Sequence, residues 1–456
     1  MTDRAYALTD TVWSACGGDR SHLDTLSFTS EGALPSVFFV TDFASATIAA
    51  AALALGEWID SHGEGVVVDR RLASMWFYAS IRPQGWMPPA TWDPLAGDYR
   101  AGDGWIRLHT NAPAHRAAAQ RVLGPHADKQ PMASAVSKWS AAELEQAVVD
   151  AGGCAAQMRS VAEWNDHPQG RAVNAEPLMH IERGTSAADR VSAIDALRPL
   201  AGIRVLDLTR VLAGPVATRF LAGWGAEVLR IDPPDWDEPA LIPEVTPGKR
   251  CARLDLRSAD DRAIFESLLA TSDVLIHGYR TGALDRLGYD VETRQRLRPG
   301  LIDVSLNAYG ATGPWAGRRG FDSLVQMSTG IAQAGKGWRG AEQPVPLPVQ
   351  ALDHGTGYLM AAAAIRGLTH RQRDGIGCIA LLSLARTAKL LLDPGQQPDP
   401  SALAPETELD RASGIETTAW GPAQRLMSPV SMGGHGLHFS RPASALGSST
   451  PAWQVP

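Results

Sequence analysis

From about residue 200 the chain alternates short β-rich runs with helix-forming stretches, and this alternation constrains its fold more than any other feature. Residues 203–208 (IRVLDL) read as a strand. Gly214-Pro215 then opens a helix, with proline in the first turn, where its missing N–H is tolerated. That helix covers 216–224, and Gly225 ends it. A second strand covers 227–231 and is closed by Asp232-Pro-Pro. Residues 252–256 form a possible third strand, 259–271 a helix and 273–276 a strand. After the Pro299-Gly300 turn signal comes another strand, 301–305. The pattern predicts an α/β fold: a parallel, Rossmann-like sheet with helices on both faces.

The flanking segments read differently. Residues 1–195 are expected to supply a smaller α+β domain, with helices at 42–58, 70–81 and 141–152 and a strand at 104–108 after the Asp103-Gly104 turn. The Rossmann-like domain covers 196–392. Residues 393–456 begin with a Pro-rich, polar stretch (393–406), expected to be a linker or mobile loop, and continue as a Gly/Pro/Ser-rich tail. The longest apolar stretch, 43–55, is alanine-rich and shorter than the roughly 20 residues of a membrane span, so a buried core helix is expected. A faint internal repeat lays 42–52 on 353–363. The same offset brings Glu31 onto Glu342 and Pro35 onto Pro346, and one residue of drift places Leu72-Ala73 on Leu384-Ala385.

Composition excludes several classes. The 456 residues carry a formal net charge of −7, a poor match to nucleic acid or an anionic membrane. Four cysteines without CxxC spacing argue against a disulfide scaffold or a zinc cluster, and no histidine spacing suggests a metal. The polar start, MTDRAYALTDTVW, shows no apolar targeting core. A cytoplasmic location is expected.

Residues 199–392 resemble the class III CoA-transferase family (CaiB/BaiF type), which includes formyl-CoA transferase, carnitine CoA-transferase and α-methylacyl-CoA racemase. The resemblance rests on PLAGIRVLDLTRVLAGP (199–215), GAEVLRI (225–231), Gly248-Lys249-Arg250 and SDVLI (272–276). It extends to Arg280-Thr-Gly282, Asp285-Arg-Leu-Gly288 and Gly320-Phe-Asp322. The N-terminal part resembles a transferase's later half and 421–453 its closing segment, so the halves stand in an unusual order. The family implies CoA or acyl-CoA as substrate, a carboxylic acid as acceptor and an interlocked homodimer.

For CoA, a helix N-terminus, cations and a flat apolar wall are required. Leu212 and Gly214 at the helix start and Tyr279 as an adenine platform answer this. Arg230, Lys249, Arg250, Arg280 and Arg286 are candidate cations, the resemblance favouring Lys249, Arg250 and Arg286. A nicotinamide dehydrogenase is the competing reading, but the first turn is Leu212-Ala-Gly-Pro215 and not GxGxxG. The resemblance implies covalent catalysis by a loop aspartate about twelve residues before the Asp that opens the Ala-rich helix. That position is Ala341, so the adjacent Glu342 is the candidate nucleophile within loop 337–344, with Asp353 as the helix-opening residue. In the racemase branch a Gly-His-Asp histidine acts with that aspartate as acid and base. Here the motif is Gly320-Phe321-Asp322, which disfavours the pair. His354 beside Asp353 is a possible substitute. Asp322 reads either as a site carboxylate or as a cap on the helix it opens. The leading function is CoA transfer between carboxylic acids. Acyl-CoA isomerisation or racemisation, or a catalytically silent acyl-CoA-binding partner subunit, are the alternatives.

Overall fold

The computed structural model describes residues 2–59, 65–187, 194–398 and 400–454. Seven strands form the central sheet: β1 (His180–Ser186), β2 (Arg204–Leu208), β3 (Glu227–Asp232), β4 (Lys249–Arg253), β5 (Val274–His277), β6 (Ile302–Asn307) and β7 (Ile376–Ser383). The helices that position the site are α1 (Val40–Trp58), α2 (Pro113–Leu123), α3 (Ala213–Gly223), α4 (Ala259–Ala270), α5 (Asp322–Ser328) and α6 (Ala351–Asp374). Spatial order is β4-β3-β2-β5-β6-β7-β1. All neighbours are parallel except β7 and β1, which run antiparallel.

Successive strand residues point to opposite faces, and the sequence places apolar side chains on both. Val205, Val228 and Val274 join one core cluster with α1, α3 and α6. Their neighbours Leu206, Leu229 and Leu275 join another with Phe265, Leu268 and Leu269 of α4. The expected α/β sheet with helices on both faces is therefore present. It is mixed, because β1 adds an antiparallel strand from the N-terminal segment.

Four expectations shift. The third strand is β4, not 252–256: its polar start, Lys249-Arg250, masked it. The helix expected at 70–81 stops at Trp76, and Ile81–Pro83 pairs instead with the strand Gly421–Leu426. The loop expected at 337–344 begins as helix, since Ile331–Arg339 is helical and Gly340 (φ 61°) ends it. The Pro-rich stretch is tied to the N-terminal segment. Gln397 Nε2 donates to Ser36 O (2.6 Å), and Ala402 forms a bridge with Ala33; residue 399 lies outside the described residues.

Helix α1 has 19 residues and is apolar enough by length and composition to cross a membrane, yet 94% of its apolar window is buried inside the protein. It packs on α6, its partner in the internal repeat. Gly355 makes this possible, since a Cβ there would lie 2.3 Å from the Phe43 ring. Both helices are entered in the same way. Val40 N–H donates to Phe38 O (2.7 Å) and Ala351 N–H to Val349 O (2.8 Å). The residues between, Phe39 (φ −72°, ψ 57°) and Gln350 (φ −76°, ψ 65°), are inverse γ-turns. Asp42 and Asp353 are the third residues of their helices. At the far edge of the sheet the tail lies along β4, with Ser449 N–H donating to Cys251 O (2.8 Å).

Candidate active site

Strand order reverses between β2 and β5, and a crevice opens there beyond the carboxyl ends of the strands, where sheets of this kind bind ligands. A cavity of about 420 Å³ occupies it. Its wall includes Arg210 to Ala213 after β2, Gly278 to Thr281 after β5, Leu306 to Ala308 at the end of β6 and Leu384 after β7. Asp353 of α6, the 316–321 segment and His115 of α2 complete it.

The turn between β2 and α3 is built with strain. Val211 has φ 65°, in the left-handed region that a β-branched residue rarely enters. Its N–H donates to Glu238 Oε2 (2.8 Å), and Glu238 is held in turn by Arg230 Nη2 (2.5 Å) and Trp236 Nε1 (3.2 Å). Beneath the turn, Asp207 accepts from Thr209, Thr218 and Lys249, while Lys249 Nζ also donates to Pro215 O (2.9 Å). Burial lowers the Lys249 pKa to about 8, with Asp207 pulling the other way. No side chain caps α3, so its first turn faces the cavity through Leu212 and Ala213 without a competing acceptor.

The cations divide into two sets. Arg230 and Lys249, expected to hold CoA, are fully buried and paired within the fold. They hold the turn and do not line the cavity. Arg250 donates to Ala452 O and Thr450 of the tail, and Arg286 is exposed outside the cavity wall. Gly214 is also off the wall: a Cβ there would lie 2.3 Å from Thr209 Cγ2, so glycine serves close packing of the turn. Leu212 and Tyr279 do line the cavity, as does Arg280. Arg210 and Arg319 were not singled out from sequence. Arg210 lies between the Trp236 and Tyr279 rings, 4.9 and 5.3 Å from their centroids. Burial, with Arg319 and Arg286 close by, lowers the Arg280 pKa. Among the described residues none of Arg210, Arg280 and Arg319 forms an ion pair with a carboxylate. The position of Arg210, two residues past a strand end, is the signal that would have found it.

Asp353 lines the cavity, and a second carboxyl, Asp322, lies beside it off the wall. Asp322 does not cap its own helix α5. It accepts the N–H of Asp353 (3.0 Å) and a hydrogen bond from Gln326 Nε2, so it caps the first turn of α6. Burial pushes its pKa up to about 6 against those hydrogen bonds. Asp353 is raised well above the ordinary carboxylate value, by burial first and then by the Asp322 charge. Burial thus raises both carboxyls, and the hydrogen bonds that Asp322 accepts from the Asp353 N–H and from Gln326 favour its ionised form. Glu342 is exposed on the turn after the Ile331–Arg339 helix and is not on the cavity wall. His354 points to the other side of α6, stacked on Phe77 at 5.0 Å, and burial lowers its pKa to about 3. Phe321 stacks on His109 at 3.8 Å and meets His115 edge-on at 5.7 Å. Burial, then Arg319 and Arg280, lower the His115 pKa to about 4, so it is neutral at pH 7. Nothing in the sequence around His115 announces this place; it depends on how α2 docks. His277 contacts Asp303 (3.2 Å) and is not on the wall.

The fold is of the α/β class, with a crevice lined by arginines at the switch point of the sheet and a buried carboxyl on its wall. Comparison with known proteins bears on one segment. Residues 200–424 match the model of CoA-transferase family III, the family that the sequence resembles. A probable fatty acyl-CoA transferase of Mycobacterium tuberculosis is 30% identical over 201 residues, covering 41% of this chain and 50% of that protein. The succinyl-CoA:glutarate CoA-transferase of Mus musculus is 32% identical over 210 residues, covering 43% and 47%. A CaiB/BaiF family crystal structure from Brucella suis is 27% identical over 49% of this chain and 65% of that one, with a TM-score of 0.37. The chain spans about half the length of the curated relatives it matches.

Proposed function

We propose that the protein binds an acyl-CoA in the cavity at the switch point and passes its CoA to a carboxylic acid, with Asp353 as the reacting carboxylate. One observation carries this reading: a single cavity combines cations without carboxylate partners (Arg210, Arg280, Arg319) with the buried carboxyl of Asp353. The arginines and the uncapped start of α3 suit phosphates. Tyr279 and Trp236 offer flat faces for a base.

In the reaction the Asp353 carboxylate attacks the thioester carbonyl, the C–S bond breaks and CoA thiolate leaves a mixed anhydride. The thiolate then attacks the Asp353 carbonyl carbon, releasing the donor acid and forming an enzyme thioester. The acceptor carboxylate attacks that thioester and expels the thiolate. The thiolate next attacks the acceptor's acyl carbon, giving the new acyl-CoA and free Asp353. Thioester is exchanged for thioester, so the net free-energy change is small. The first step requires Asp353 to be ionised, which burial and the Asp322 charge oppose.

Relatives named for succinyl-CoA with glutarate or malate make short dicarboxylates the first acceptors to try. A homodimer and a cytoplasmic location belong to the same reading, and four free cysteines suit a reducing compartment. The test is intact-protein mass spectrometry with hydroxylamine trapping, using a panel of acyl-CoAs on wild type and Asp353→Asn. An adduct on Asp353 that vanishes in the variant supports the proposal. An adduct on Glu342 would return the role to the loop carboxylate. CoA binding without any adduct would favour a silent binding subunit.

A raised Asp353 carboxyl and a neutral His115 lining one cavity favour one second reading, acyl-CoA isomerisation. It would show as solvent deuterium entering the acyl α-carbon with no acceptor acid present.

A further inference from the structure

We propose that a second cavity, built on Asp42, Arg70 and Arg4, binds a small zwitterion that carries both a carboxylate and an ammonium group. This site is separate from the acyl-CoA cavity and does not depend on its assignment.

The internal repeat leads to it. Helices α1 and α6 begin with the same inverse γ-turn and carry an aspartate at the third position. Asp353 lines the cavity already described. Asp42 lines another, of about 450 Å³. Each aspartate's cavity is also met by the first residue of a second helix, Leu384 of Leu384–Leu392 for Asp353 and Arg70 of Arg70–Trp76 for Asp42, two residues that the register of the repeat does not pair. The two cavities differ in charge. Asp353 faces a carboxylate, Asp322, whereas Asp42 faces a guanidinium, with Arg70 Nη2 donating to Asp42 Oδ1 (2.7 Å).

The second cavity is a formed site. Asp42 and Arg70 are 6% and 2% exposed. Only one Asp42 oxygen is engaged; Oδ2 makes no hydrogen bond among the described residues. Arg70 uses Nη1 on Ser30 O and Nη2 on Asp42, while its buried Nε has no partner. Arg4, on the helix Thr2–Ala15, sits 4.7 Å over the Phe39 ring and forms no ion pair among the described residues. Gln397 closes one side but directs its amide to Ser36 O. Ala7, Ala33, Phe39 and two prolines supply apolar wall.

These groups fix the ligand's chemistry. The wall carries two carboxylates, Asp3 and Asp42, and two guanidiniums, Arg4 and Arg70. A simple anion would answer Arg4 but lie against Asp3 and the open Asp42 oxygen, and a simple cation would answer the carboxylates but lie against Arg4. A molecule with both charges separated by a short aliphatic link satisfies both and leaves the cavity's balance unchanged, which limits the cost of burying charge. Amino acids of the β or γ type have this form.

The test uses calorimetry on the full chain with β-alanine and 4-aminobutyrate, and with butyrate, butylamine and inorganic phosphate as single-charge controls. Variants are Arg4→Gln and Ala7→Trp, both at exposed helix positions that leave the core intact, and Asp353→Asn. The proposal expects the zwitterions to bind and the three controls not to. It expects Arg4→Gln and Ala7→Trp each to weaken binding at least about tenfold, and Asp353→Asn to leave this binding unchanged. Failure of both zwitterions to bind, equal binding by butyrate, butylamine or phosphate, insensitivity to both Arg4→Gln and Ala7→Trp, or loss of binding in Asp353→Asn would each overturn it. The first three outcomes leave the acyl-CoA reading untouched.

Discussion

Burial and the neighbouring Asp322 charge both oppose ionisation of Asp353, and this has a cost that depends on pH. A carboxyl whose pKa is raised on folding binds its proton more tightly folded than unfolded. Stability is therefore fully present below the ordinary value of 3.8 and falls as pH rises through the raised native value. Asp322, pushed up to about 6, acts in the same direction. Asp353→Asn removes the larger part of that loss. Urea denaturation is expected to show the variant gaining about 1–3 kcal/mol relative to wild type between about pH 5 and pH 8; parallel pH curves for the two proteins would refute it. The same change is expected to abolish CoA transfer while CoA binding persists. At this scale the sequence was partly readable. Tyr279 and Leu212 follow from a strand end and a helix start, Asp353 from the family resemblance, and all three line the cavity. Glu342 was chosen by its distance along the chain, and distance along the chain carries no information about which side of a turn faces the crevice. Arg230 and Lys249 look like ligand cations in a sequence because the carboxylates that neutralise them, Asp232, Glu238 and Asp207, are identified as partners only by the fold.

The turn from β2 into α3 is the element on which the site rests. A valine at φ 65° persists there because Glu238 receives its N–H and is itself fixed by Arg230. Glu238→Gln keeps the shape but leaves the buried Arg230 guanidinium short of one counter-charge. We expect a loss of about 2–4 kcal/mol in unfolding free energy. We also expect weaker CoA binding by calorimetry, because the Leu212–Ala213 wall is no longer held; a variant with wild-type stability and CoA affinity would show that the turn does not need this anchor. The strand–helix alternation that forms this element is legible because residues on both faces of each strand are apolar and the connecting turns carry Gly and Pro. The misplaced third strand shows the limit. Lys249 begins β4 as a buried charge, and a hydropathy pattern registers it as a loop.

In the whole molecule the long helices α1 and α6 join the N-terminal segment to the sheet, and the contact is closed by a residue with no side chain. Gly355→Ala would drive a methyl group into the Phe43 ring, 2.3 Å away. We expect a loss of about 1–3 kcal/mol, visible as a lower thermal midpoint, with restoration by the compensating change Phe43→Leu; a variant that melts with the wild type would mean that the two helices separate freely. The tail along β4 acts on a different property of the molecule. An outermost strand presents carbonyl and N–H groups to any passing chain and is the usual starting point of sheet-to-sheet aggregation. Here Ser449 occupies the Cys251 carbonyl, and Arg250 reaches Ala452 and Thr450. The Gly/Pro/Ser-rich tail thus covers an edge that would otherwise offer hydrogen-bonding groups to a passing chain.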